Sequence, residues 1–284
     1  MACDICQGTQ WVIDRIDGVD RARRCDCWRA ALADQQLAQA RIPRGYVHCE
    51  LSNFESNTDS LREALRRARA FIDAFPVPNK GLLFHGRHGV GKTHLAVAIL
   101  KDIIRGKGAR GFFYETRELL KLVRDTYAGG DATEMEVLRP VLDADLLVLD
   151  DLGAEKTSEW VQETLGLVVN TRYSERRPTI FTTNLVDSPN PDDLNSMIVR
   201  IGARTRSRLF EMCEWVEMDG ADTRQVGVNP TPADLARYNR DSPESDQNRR
   251  RGGFPDKTRG MARASLRGRG AADVNWAGGK GGSR

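Results

Sequence analysis

Between Gly86 and Thr93 the chain reads Gly-Arg-His-Gly-Val-Gly-Lys-Thr, and no other stretch restricts the possible folds as sharply. An apolar run, Gly81–His85, precedes it, and Lys92–Arg105 follows with Leu95, Ile99 and Ile103 on one helical face. A glycine-rich turn between a buried strand and an amphipathic helix is built to wrap phosphate. Gly86, Gly89 and Gly91 let the backbone fold tightly and turn its N–H groups inward. The helix opening at Lys92 points the positive end of its dipole at the same oxygens. Lys92 brings a point charge to the β- and γ-phosphates, and the Thr93 hydroxyl can ligate Mg²⁺. Val90 and His94 complete the candidate contacts of a site for ATP with Mg²⁺.

The surrounding sequence supplies the strands and helices that such a unit needs. Helices are expected over Ser60–Phe75, Glu118–Tyr127, Glu159–Glu175 and Leu194–Phe210, and strands over Gly111–Glu115, Asp145–Asp150 and Pro178–Asn184. Strands alternating with helices predict an α/β fold: an open parallel sheet flanked by helices, with its ligand at the strand C-termini. The chain has 284 residues, enough for one sizeable core and a small satellite. No run of 18 apolar residues occurs, and the start, Met-Ala-Cys-Asp-Ile-Cys, lacks the basic and apolar regions of a secretory signal. A cytoplasmic protein with no membrane partner is expected.

Leu146-Leu-Val-Leu-Asp150-Asp151 places two carboxylates at the exit of a central strand. Beside the phosphate loop, Asp150 is read as the acid that holds Mg²⁺, and Asp151 as the base that polarises the attacking water. Asn184, closing Thr182-Thr183-Asn184, either positions that water or merely starts a turn. Arg204, Arg206 and Arg208 share one predicted helix. They form a solvated stripe or, more sharply, supply an arginine finger to a neighbouring subunit, which requires a head-to-tail ring or spiral. No acceptor-substrate site marks the chain as a metabolic kinase.

These segments, with Leu51-Ser-Asn-Phe54, Arg177–Asn184, Ile201–Leu209 and Trp215–Arg224, resemble the bacterial replicative helicase loaders, the DnaC/DnaI-like branch of the AAA+ ATPases. The IstB transposition-helper ATPases are close relatives. The resemblance spans about residues 50–224. It implies an AAA+ core with Asp151 where many members carry Glu, Arg208 as the trans finger, and Arg204 and Arg224 as nucleotide-sensing candidates. It also implies a protein that uses ATP to load a replicative helicase onto single-stranded DNA. A transposition helper, and a nucleotide-gated DNA-binding adaptor with little hydrolysis, are the alternatives.

Cys3-x₂-Cys6 and Cys25-x-Cys27 pair four thiols around a segment with little apolar content. In a reducing compartment such thiols bind metal rather than form disulfides. A tetrahedral Zn²⁺ site gives the segment a reason to fold, and it is favoured over Fe–S ligation. Trp11 and Trp28 are candidates to cover the metal, Cys49 beside His48 is a candidate substitute for one ligand, and Cys213 is expected in the core at a helix end. A short helix, Ala30–Ala40, connects this zinc-binding module (1–49) to the ATPase domain (50–224). By the family's architecture, the module is the end that binds the helicase.

Beyond 224 the chain turns rich in Gly, Arg, Asp, Asn and Pro, a composition that cannot bury enough surface to order itself. From Arg249 onward ten Lys/Arg stand against two acids, a net +8 where the rest of the chain carries −5. A disordered basic tail over 225–284 is expected. It either binds nucleic acid through charge or serves only to solubilise.

Overall fold

The computed structural model describes residues 3–226, apart from 17, 128–132, 189 and 191, and then 231, 233–234 and 237–238. The Arg/Gly-rich tail expected over 225–284 therefore lies almost wholly outside the described residues. The first elements form an antiparallel hairpin, β1 (Trp11–Ile16) and β2 (Val19–Arg24). Every β2 side chain is exposed, so apolar packing does not hold this hairpin together. Its sequence, Val-Asp-Arg-Ala-Arg-Arg, carries no apolar alternation, which is why the strand could not be read from it.

Helix α1 (Cys27–Gln39) is followed by α2 (Asp59–Ala74), whose N-cap Thr58 accepts from Leu61 N–H. Then come β3 (Gly81–Gly86), α3 (Lys92–Lys107), β4 (Gly111–Glu115), α4 (Thr116–Tyr127), α5 (Glu134–Asp143), β5 (Leu146–Asp150), α6 (Glu159–Ser174) and β6 (Thr179–Thr183). The described elements close with α7 (Met197–Ile201), α8 (Ala203–Met212), β7 (Cys213–Met218) and the short turn of helix α9 (Thr223–Val226). Strands β4-β5-β6-β3-β7 form one sheet in that order, all parallel.

The period-2 geometry of a strand divides each apolar run between two cores. Leu82, Phe84, Leu146, Val148 and Ile180 pack under α2 and α3. Leu83, Leu147, Leu149 and Phe181 pack against α4, α5, α6 and α8. All five residues of β5 are buried, as a parallel strand covered on both faces requires. Each such side chain contributes roughly 1.5–3 kcal/mol of transfer free energy. The rigid sheet that results holds the strand ends where the chemistry sits.

Three elements depart from the expectation. The single helix over 194–210 is two, because Gly202 adopts φ +83° and breaks it. Helix α5 was not foreseen, since Pro140 lies inside it. A capping box of Thr133 and Glu136 starts it nonetheless, and Leu138, Val141 and Leu142 anchor it in the core. Cys213 is buried as expected, but it opens strand β7 instead of ending a helix.

Residues 30–49 are packed onto the sheet, so the boundary drawn at 49/50 falls inside a packed segment. Gln36 Nε2 donates to Gly108 O at 3.0 Å, Arg41 pairs with Glu118 at 2.8 Å, and Phe113 N–H donates to Ala40 O at 2.8 Å. Between α5, α6 and β6, the wholly buried Arg172 donates to Val141 O (2.9 Å), Ala144 O (3.0 Å), Pro178 O (2.6 Å) and Thr179 Oγ1 (2.8 Å). Burial pushes its pKa down to about 9. Among the described residues no helix is long and apolar enough to cross a membrane.

Candidate functional site

At the C-terminal edge of the sheet lies a cavity of about 520 Å³ lined by Lys92, Thr93, Asp150, Asp151, Asn184 and Arg224, among others. Strand β3 delivers the chain to it through Gly86. A Cβ on Gly89, at φ +73°, would meet Asp222 Oδ1 at 1.8 Å, so only glycine lets the loop close so tightly there. Val90 turns its side chain into the core, which leaves its backbone to face a ligand. Thr223 bonds the loop from the far side, its hydroxyl donating to Gly89 O at 2.9 Å.

Lys92 Nζ donates to Gly86 O at 2.9 Å and Arg87 O at 2.6 Å. Burial lowers its pKa to about 8, against the pull of Asp151 and Asp150. A desolvated ammonium resting on loop carbonyls is ready to exchange them for an anion.

Thr93 Oγ1 donates to Asp150 Oδ1 at 2.9 Å, so a hydroxyl and a carboxylate converge from two elements. Such an all-oxygen pair fits Mg²⁺, which takes one or two carboxylates and completes its shell with phosphate and water. Burial raises the Asp150 pKa above the ordinary carboxylate range, although hydrogen bonds from Thr182 and Thr93 oppose this. Thr182 Oγ1 donates to Asp150 Oδ1 at 2.6 Å and accepts from Asp151 N–H at 2.9 Å. Asp151 itself sits at φ +54°, a left-handed conformation that Asp tolerates better than most residues. Asn184 Nδ2 donates to Asp151 Oδ1 at 2.8 Å. The end of β6 thus fixes both carboxylates. The role of Thr182 in this was missed, because only Asn184 in the Thr-Thr-Asn run was singled out.

His94 lines the same cavity, with its Nε2 2.9 Å from Asn53 Oδ1 and 3.1 Å from Glu50 O. Phe54 packs edge-on to His94 at 5.6 Å between ring centroids. Tyr46 also lines the cavity, and no pattern in the sequence pointed to it. Arg224 reaches the cavity from α9, whereas Arg204 is exposed outside it. Arg208 lies over the Tyr173 ring at 4.6 Å and pairs with Glu211 at 3.5 Å, so it takes no part in its own chain's cavity. Arg206 pairs with Asp187 and stacks on Phe210.

The four N-terminal thiols come together. Cys3 Sγ lies 3.8 Å from Cys25 Sγ, and Cys6 Sγ lies 3.3 Å from Cys27 Sγ. Zinc–sulfur bonds of about 2.3 Å at a tetrahedral centre place sulfurs about 3.8 Å apart, so the set fits Zn²⁺. Burial alone would raise the Cys6 thiol. Hydrogen bonds from Cys27 and from the backbone at Gly8 and Gln10 bring it down to about 7, while the same Cys6–Cys27 bond pushes the Cys27 thiol up. Trp11 and Trp28 flank the Arg24 guanidinium, at 5.7 and 5.0 Å. Cys49 belongs to a different cluster, with His48 and His94.

A family model described as IstB-like ATP binding protein matches residues 67–225. The replicative helicase loader DnaC of Escherichia coli K12 is 26% identical over 182 residues, 64% of this chain and 71% of that protein. A crystal structure of the DnaC helicase loader superposes with a TM-score of 0.55 at 36% identity, covering 62% of this chain and all of that one. A crystal structure of DnaI aligns at 26% identity and a TM-score of 0.52, over 64% and 94% of the two chains.

Proposed function

This chain belongs to the family of IstB-like ATP binding proteins, and from that premise we propose that it is an ATP-dependent loader of a replicative DNA helicase. The likeness to DnaC, in sequence and in fold, carries this reading. In it, Gly86, Gly89, Val90, Gly91, Lys92, Thr93 and His94 surround the nucleotide, Thr93 and Asp150 hold Mg²⁺, and Arg224 senses the phosphates. Arg204 is assigned to sensing at the subunit boundary. The metal, when bound, neutralises charge that develops on the phosphates. Asp151 accepts a proton from the attacking water, which Asn184 helps to orient through the shared hydrogen bond. Arg208 is supplied to the neighbouring subunit in a ring or spiral. Residues 1–49, held by Zn²⁺ on Cys3, Cys6, Cys25 and Cys27, grip the helicase; 50–224 form the ATPase; 225–284 trail as a basic tail. The assembly works on single-stranded DNA in the cytoplasm.

The test is recovery of native partners by the full chain and by Cys25→Ser/Cys27→Ser, with ATP turnover measured with and without single-stranded DNA. A hexameric helicase held by the wild type alone, with turnover, supports the loader. The family's IstB description favours a second reading, a transposition helper; recovery of a transposase and no helicase would establish it instead. Helicase binding without turnover would leave a nucleotide-gated adaptor.

A further inference from the structure

His48, Cys49 and His94 bring one ligand atom each to within 4.8 Å of one another, from the segment before α2 and from the first turn of α3. The hydrogen-bond network around them assigns the tautomer of His94. Asn53 Nδ2 donates to His48 O at 2.8 Å, so Asn53 Oδ1 is the acceptor. That oxygen and Glu50 O both face His94 Nε2, which must therefore carry the proton. On the neutral ring Nδ1 then carries the lone pair. A histidine that donates one ring N–H to backbone or amide oxygen and keeps the other nitrogen free has the arrangement of a metal ligand.

Cys49 and His48 fit the same centre. Cys49 Sγ lies 3.9 Å from His48 Nε2. Bonds of about 2.3 Å to sulfur and about 2.0–2.1 Å to nitrogen at a tetrahedral metal put these atoms roughly 3.5 Å apart. The segment that carries them is fixed by buried Lys101, whose Nζ donates to Val47 O at 2.6 Å, Cys49 O at 2.8 Å and Glu50 Oε1 at 2.5 Å. Burial raises the Cys49 thiol to about 11 against the pull of Lys101, so a metal entering here would have to displace its proton.

We propose that His48, Cys49 and His94 form a second site for Zn²⁺ or a similar borderline-soft divalent ion, with three protein ligands and a fourth position open to the cavity that they line. Mixed imidazole and thiolate donors select Zn²⁺ over Mg²⁺. The site is distinct from the four-cysteine cluster and from the oxygen pair of Thr93 and Asp150.

The experiment is a Co²⁺ and Zn²⁺ titration of the full chain with Cys3, Cys6, Cys25 and Cys27 all changed to Ser, which isolates the second site. One equivalent should bind, with a thiolate-to-Co²⁺ charge-transfer band. Adding Cys49→Ser should abolish the band. His48→Ala, at an exposed position, should lose the equivalent with no change in melting temperature. No stoichiometric binding by the four-serine chain, or a band that survives Cys49→Ser, would overturn the proposal. Whether the wild type binds a further equivalent tests the four-cysteine site separately, so either site can fail alone.

Discussion

Asn184 Nδ2 donates to Asp151 Oδ1 at 2.8 Å, which ties the first residue after β6 to the turn after β5. One carboxylate oxygen is thereby committed, and in the proposed reaction the other takes the water. Asp151→Asn should lower turnover by ~10²–10⁴-fold, the usual contribution of a general base, while the affinity for a non-hydrolysable ATP analogue stays within a few-fold. Asn184→Ala should fall between. Single-turnover kinetics alongside analogue binding checks both; an Asp151→Asn protein that hydrolyses at the wild-type rate would remove Asp151 from the reaction.

Lys92 must be charged to hold phosphate, yet burial brings its pKa to about 8 in the free protein. Bound phosphate restores a charged partner, so the pKa rises and nucleotide binding takes up a proton as the pH passes through and above 8. Affinity should drop by about tenfold between pH 7 and pH 9, one pKa unit being one decade. Calorimetry in buffers of different ionisation enthalpy reads the proton directly. An affinity flat across that range would mean that the ammonium is already fully charged.

The place of Arg208 on Tyr173, outside its own chain's cavity, sets up a mixing test. Arg208→Ala should lose ~10³–10⁵-fold in turnover, the range measured for such fingers. Lys92→Ala should be inactive for want of nucleotide. If the arginine serves a neighbour, a mixture of the two inactive proteins should recover part of the activity, because one supplies the finger and the other the bound ATP. A mixture as silent as its components would count against service in trans.

Arg172 is a wager on stability rather than catalysis. Arg172→Met would take the Arg172 donor from the buried carbonyls of Val141 and Ala144, and leave Pro178 O with only the Leu147 N–H at 3.4 Å. Stranded buried groups cost ~1–3 kcal/mol each, although relaxation absorbs part of this. A loss of roughly 3–5 kcal/mol, and a melting temperature lower by about 10 °C, is expected. Arg172→Lys should fall between, since three donors replace five.

The nucleotide site was legible because its parts are local: a loop, a strand exit and a helix start each announce themselves in a few consecutive residues. Thr93, Asp150 and Asn184 come from three such pieces, and the sheet order brings them together without further instruction. Tyr46, Thr182 and Thr223 were not legible, since each acts across a gap in sequence and none belongs to a periodic pattern. Arg172 was hidden for a related reason. An arginine one turn from a helix end looks solvated until the elements closing over it are known. Gly202 stood in plain view, but its left-handed φ depends on the packing of α8 against α6, and a lone glycine within a helical stretch is often tolerated.

The bond from Phe113 N–H to Ala40 O has a bearing on how this protein can be handled. Strand β4 is the outermost of the sheet on its side, and an uncovered outer strand is a template on which other chains can add. The end of α1, with Arg41 laid over Tyr114 at 4.5 Å, is the shield on that flank. Cutting the chain at residue 50 to isolate the ATPase would strip the shield away. The fragment should self-associate through β4 and precipitate at concentrations the longer chain withstands, whereas a cut nearer residue 30 should leave it well behaved.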